Sequence, residues 1–133
     1  MSNSLQQLEQ RIDHYRTGID SSDQEHWELV VIIDRIGQAC EDQQYQLAMQ
    51  LLEHYTDHLT SEEQVMCEVG YPYFKSHADH HKDELQYVTQ IVESSRYHAI
   101  SSYTRSELIN KIFNHIDFHD IQFAQWMSKQ QLF

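Results

Sequence analysis

Residues 54–81 read HYTDHLTSEEQVMCEVGYPYFKSHADHH, and this stretch decides how the chain folds. His58 stands four residues before Glu62, and His77 four residues before His81. Four residues is about one turn of an α-helix, so each pair projects from one side of its helix. Gly70, Tyr71 and Pro72 lie between the pairs. Glycine readily takes the left-handed conformation that ends a helix, and proline suits the first turn of the next. The spacing predicts a helical hairpin that turns three imidazoles and a carboxylate toward a shared interior.

Working outward, the remaining sequence supplies two more helices. A chain of 133 residues makes one domain, and three glycines with a single proline favour a few long helices. The first main helix is expected from Ser21 or Ser22, where Ser22 and Glu25 have capping-box spacing, and it fades after Gly37. Its stripe is Leu29, Val30, Ile33, Ile36 and Cys40, and His26 falls on it. The second, about 43–68, carries Leu47, Leu51, Tyr55, Val65 and Val69, with His58 and Glu62 inside the stripe.

The third helix, about 72–97, opens at Pro72 and shows Phe74, Ala78, Leu85, Val88 and Val92. His81 lies near the centre of that stripe and His77 at one side, while His80 is about 100° away and should face solvent. The fourth opens on a Thr104–Glu107 capping box and runs to about 128, with Ile109, Ile112, Ile116, Phe123 and Met127 as its stripe. Short connections between amphipathic helices predict an all-α fold, an antiparallel up-down-up-down four-helix bundle over residues 19–133. Residues 1–18 form an N-terminal arm, with Leu5, Leu8, Ile12 and Tyr15 at helical spacing, that packs on the bundle or links it to something upstream.

The formal charge of −12 argues against nucleic acid or an anionic membrane as partner, because phosphate binding needs clustered Lys and Arg. Cys40 and Cys67 have no metal-type spacing and read as reduced core or boundary residues. The opening MSNSLQQLEQ lacks the basic-then-apolar order of a secretory signal, and the longest apolar run, LVVII at 29–33, is too short to span a bilayer. A cytoplasmic location is the expectation.

Polar groups on apolar stripes are costly unless satisfied. His26, His58, Glu62, His77 and His81 all sit on such stripes, on three helices that share one interior. A metal centre supplies the common partner, with imidazole as neutral donor and carboxylate as anion. More than four nitrogen and oxygen donors exceed one zinc site and suit two metals with bridging carboxylates. The ferritin-like di-iron site needs Glu-x-x-His, which this sequence lacks. On the fourth helix, periodicity alone leaves His115 and His119 both open.

The order of motifs then becomes informative. Asp-x-x-His (Asp23, His26), His-x-x-x-Glu (His58, Glu62), Tyr-Pro followed by His-x-x-x-His (His77, His81), and His-x-x-x-x-Asp (His115, Asp120) occur in sequence. This succession resembles a bacterial hemerythrin domain over residues 19–128. The resemblance implies two iron ions joined by an oxo or hydroxo bridge. His77, His81 and His115 would hold one and His26 and His58 the other, with Glu62 and Asp120 bridging. It also selects His115 over His119. His115 and Asp120 are about 140° apart on an ideal helix, so a local widening of that helix would be needed.

In the family, dioxygen binds at the open position of the iron with two histidines. Leu29, Leu59, Ile112 and Ile116 flank the proposed ligands and would form a dry pocket there, and Asp23 would accept a hydrogen bond from the His26 ring. The implied function is reversible dioxygen binding for carriage, storage or delivery. The alternative is an oxygen- or redox-sensing domain coupled to a signalling output domain or partner. A di-iron peroxidase or oxidase has less to support it, since no nucleophile or acid–base pair stands apart from the ligands; a non-enzymatic protein is expected.

Overall fold

Gly70 ends one long helix in the left-handed conformation, φ 69° and ψ 42°, with its amide donating to the Cys67 carbonyl. The next amide, of Tyr71, donates back to Met66 O at 2.9 Å, which closes the hairpin at the place its glycine marks. The computed structural model describes residues 2–132, with side chains from Leu5 onward. Met1 and Phe133, the outermost positions of the expected arm and bundle, lie outside the described residues.

Six α-helices follow one another among the described residues: α1 (Ser2–Asp13), α2 (Asp20–Gln38), α3 (Glu41–Val69), α4 (Phe74–Ser94), α5 (Ser102–His115) and α6 (Ile121–Lys129). A π-helical turn, Ile116–Asp120, joins α5 to α6 into one continuous rod. The bundle consists of α2, α3, α4 and this rod. Cross-helix pairs fix its antiparallel sense. Glu25 meets His58 while Gln44 meets Ile36, and Glu84 meets His115 while Tyr87 meets Glu107.

Helix starts differ from the sequence expectation in three places. The first main helix begins at Asp20, and no Ser22–Glu25 box forms. The acid of that turn, Asp23, reaches backward instead, accepting from the Thr17 amide and hydroxyl at 2.8 Å each and from the Gly18 amide. Pro72 occupies the turn before α4 rather than its first residue. On α5 the cap is Ser101, whose hydroxyl accepts from the Thr104 amide at 3.1 Å, so Thr104 is already inside the helix.

The core runs the length of the bundle through Leu29, Ile33, Ile36, Leu51, Leu59, Val88, Leu108, Phe113 and Ile116. At the end away from the hairpin, buried Gln44 donates to Ile36 O and accepts from the Ile100 amide, tying α2 to the loop before α5. At the hairpin end a second cluster of Met66, Tyr71, Phe123 and Met127 closes the bundle. Val65, expected on the stripe of α3, is 40 % exposed, and Met66 takes the inward place. Cys40 and Cys67, expected in the core or at its boundary, are both exposed free thiols. Each lies at or beyond a helix end, outside the packed faces. The helix α1 lies against α2, with Ile12 in the core and the Arg11 guanidinium over the Phe113 ring at 4.2 Å.

Candidate metal centre

Between the two apolar clusters all four rods turn polar groups inward. His26 comes from α2, His58 and Glu62 from α3, His77 and His81 from α4, and His115 and Asp120 from the two ends of the π turn. All seven are buried. The π turn is the local device that makes the last pair possible. The Ile121 amide donates to Ile116 O, five residues back, so the helix widens and His115 and Asp120 come onto one side. His115 Nε2 lies 2.8 Å from Asp120 Oδ1.

The donor atoms form two overlapping groups, each within 4.8 Å throughout. One holds Glu62, His77, His81, His115 and Asp120; the other holds His26, His58, Glu62 and Asp120. Glu62 and Asp120 belong to both. Glu62 Oε1 is 2.8 Å from His77 Nε2 and 3.1 Å from His81 Nε2, while its other oxygen faces His58 Nε2 at 4.0 Å. Asp120 Oδ1 faces His77 and His115, and Oδ2 faces His26 Nε2 at 3.0 Å. Each carboxylate thus spans the two groups.

Two findings show that the groups suit cations. Nε2 of His26, His58 and His77, Glu62 Oε1 and both Asp120 oxygens are buried without a hydrogen-bond partner. Orphaned buried acceptors of that number are otherwise very costly. In addition, Nε2 of His81 and of His115 face each other at 3.2 Å. Donors at about 2.1 Å from a shared ion in right-angled directions would be about 3 Å apart, so the spacing is that of neighbouring ligands.

Outward nitrogens face carboxyl groups that the sequence reading missed, hydrogen-bonded at His58 and His81 and close without a hydrogen bond at His115. Glu25 Oε1 is 3.2 Å from His58 Nδ1, Glu63 Oε2 is 3.0 Å from His81 Nδ1, and Glu84 Oε1 is 3.3 Å from His115 Nδ1. A carboxylate behind an imidazole fixes the ring and leaves Nε2 free to bind a metal. Glu84 was legible, since 77, 81, 84 and 88 continue the stripe of α4. Glu25 and Glu63 are half-buried edge residues whose partners lie on another helix, and nothing local marks them. Asp23 does not stand behind His26, because its carboxylate is committed to Thr17 and Gly18.

Electrostatics without metal follow from the crowding. Burial opposes ionisation of Asp120, yet the imidazoles of His115, His26 and His77 hold its carboxyl well below the usual range. Burial likewise opposes charging of His77, and the carboxylates of Asp120 and Glu62 overcome it, raising the ring to about 9. Glu84 is pushed up to about 8 by burial and by the nearby Asp120 and Glu62 charges.

Leu29, Leu59, Ile112 and Ile116 line a small cavity of about 10 Å³, together with Tyr55, His26, His58, Glu84 and His115. His119 is not in either donor group. It lies half-buried outside the bundle, its ring 4.2 Å from that of His80. His80 is also half-buried rather than solvent-facing, because its ring stacks on His115 at 5.1 Å. His54 stays at the edge of α3, 3.9 Å from Glu28.

Among the described residues no helix is long and apolar enough to cross a membrane. The family model for the hemerythrin HHE cation binding domain matches residues 17–126. No curated protein and no solved structure matches the chain.

Proposed function

The chain belongs to the hemerythrin family, and from that premise we propose that it is a di-iron protein that binds dioxygen reversibly. His77, His81 and His115 would hold one iron and His26 and His58 the other, Glu62 and Asp120 would offer oxygens to both, and an oxo or hydroxo group would complete the pair. When bound, such a pair supplies two electrons and an open coordination position to dioxygen. The carrying observation is the inequality of the two donor groups around shared carboxylates, three imidazoles on one side and two on the other, with a small cavity that both members of the smaller group border.

The residues of this chain do the remainder. Glu25 and Glu63 keep two rings aimed inward, and Glu84 packs behind the His115 ring. Leu29, Leu59, Ile112 and Ile116 keep water and protons from the two-imidazole side, which reversibility requires. The cavity is on the scale of a single small molecule. Two free, exposed thiols support a reducing, cytoplasmic location.

Sensing is a second reading, favoured by one observation. A cavity of about 350 Å³ between α1 and α2 is lined by Ile12, Tyr15, Asp23 and His26, so His26 and the N-terminal helix border the same space. The test is iron analysis followed by optical spectra of the reduced protein before and after air. Two irons per chain and a band that reverses on deoxygenation support binding. One-way oxidation in air favours sensing, and zinc in place of iron defeats both readings.

A further inference from the structure

The π turn leaves one imidazole, His119, outside the centre, and α4 offers it a companion. His80 and His119 come from α4 and from the π turn, both half-buried, with rings 4.2 Å apart. Together with His115 they make a third group whose donor atoms lie within 4.8 Å of one another. They line a surface cavity of about 280 Å³ whose walls include the acids Asp83 and Glu84. The cation of that wall, Lys111, is engaged with the Tyr87 ring at 4.5 Å.

We propose that His80 and His119 form an outer binding site for a divalent first-row transition-metal ion, at which iron is captured before it reaches the buried pair. The inference rests on the di-iron reading of the interior. Paired imidazoles with nearby carboxylates suit such ions in preference to magnesium or calcium, which favour oxygen. A half-buried pair can also bind an ion that keeps part of its water shell.

A path inward starts from the same residues. His80 Nε2 is 3.5 Å from Glu84 Oε1, and Glu84 Oε1 is 3.3 Å from His115 Nδ1. Across the His115 ring, Nε2 lies 2.8 Å from Asp120 Oδ1. An ion moving from the cavity to the centre thus meets a donor at each step, by exchange of one ligand for the next. Glu25 behind His58 and Glu63 behind His81 also reach the edge of the bundle, but among the described residues the donor group outside the centre is that of His80, His115 and His119.

The test uses protein carrying its iron pair, dialysed against Co2+ and analysed for both metals. The expected result is one further ion per chain. Replacing both rings by phenylalanine, His80→Phe with His119→Phe, keeps the aromatic stack and removes the donors. That variant should bind the further ion more than about tenfold more weakly, at least the loss seen when a group behind a ligand is removed. Starting without metal, it should also fill from limiting Fe2+ more slowly yet reach the same final iron content. The corresponding alanine pair repeats both measurements without the bulk of a phenyl ring. Loaded wild-type protein that takes up no further Co2+, or variants that bind it or fill as wild type does, overturn the outer site. Wild-type protein that holds no iron pair overturns the reading beneath it, and its iron content alone reveals that case.

Discussion

The two sides of the centre share Glu62 and Asp120 but are built differently. On the three-imidazole side the rings of His77, His81 and His115 lie against one another, with centroids 4.5–5.1 Å apart. Glu63 and Glu84 stand behind them, and His80 stacks on the outside. On the two-imidazole side His26 and His58 have one carboxylate behind them, Glu25, and border a cavity whose walls are four aliphatic side chains with Tyr55, Glu84 and His115. One side fills its space with donors, while the other has fewer donors and leaves a small space walled largely by hydrocarbon. The difference separates holding a metal from letting a small ligand reach it.

The strongest way to break the comparison is to remove what the sides share. Glu62→Ala or Asp120→Ala should strip iron from both, measured as metal per chain after desalting. Retention of a single iron would mean that the three-imidazole side stands without the bridge. Next in size, Leu59→Ala should cost about 2–5 kcal/mol in denaturant unfolding, the usual range for emptying a buried leucine. Leu59→Phe should instead keep the iron pair and lose the reversible optical change, because the cavity is filled. Loss of iron from Leu59→Phe would show that the space is structural.

Smaller effects sharpen the contrast. Glu25→Ala and Glu63→Ala should each weaken metal binding about 10–100-fold, from the two-imidazole and three-imidazole sides respectively. Competition with a chelator followed by Mössbauer spectroscopy would show which iron leaves first. The mildest is a pH effect in the metal-free chain. His77 has a folded-state pKa of about 9 against an ordinary 6.5, so its stabilisation is complete below 6.5 and lost as pH rises through 9. Glu84 acts in the same direction, since its carboxyl is raised to about 8 and favours the protonated folded form over the window from 4.5 to 8. Thermal unfolding of the metal-free chain should therefore shift downward between pH 6.5 and 9. Metal-loaded protein should not follow, because ligands bound to metal are already deprotonated. Parallel curves for the two forms would contradict this assignment of charge.

The same contrast explains what the sequence discloses. His58, Glu62, His77 and His81 could be read as one cluster because each pair sits one turn apart on a strongly periodic helix. His26 followed because it falls on an apolar stripe. His115 was harder, since a regular helix separates it from Asp120; only the spacing of a known family chose it over His119, and the π turn supplies the reason. Glu25 and Glu63 were hidden because a carboxylate near a helix edge looks solvated until the neighbouring helix arrives. Helix starts failed for a related reason: Ser22 and Thr104 have the right types and spacing, but each lies inside a helix that begins earlier, at Asp20 and after Ser101.

The π turn has one more effect, on chain length. His115 and Asp120, five apart in sequence, do the job of residues four apart in a regular helix, so the turn absorbs one surplus residue. Phe123 and Met127, further along, keep their inward heading toward Tyr71 and Met66 only because that surplus is taken up here. Excising Phe118, which is exposed, should convert the turn to ordinary helix and leave Asp120, Phe123 and Met127 in register. Straightening the turn with every residue kept would swing all three out by about 100°. A deletion, ordinarily among the harshest changes a helix can suffer, is at this one place the gentler of the two.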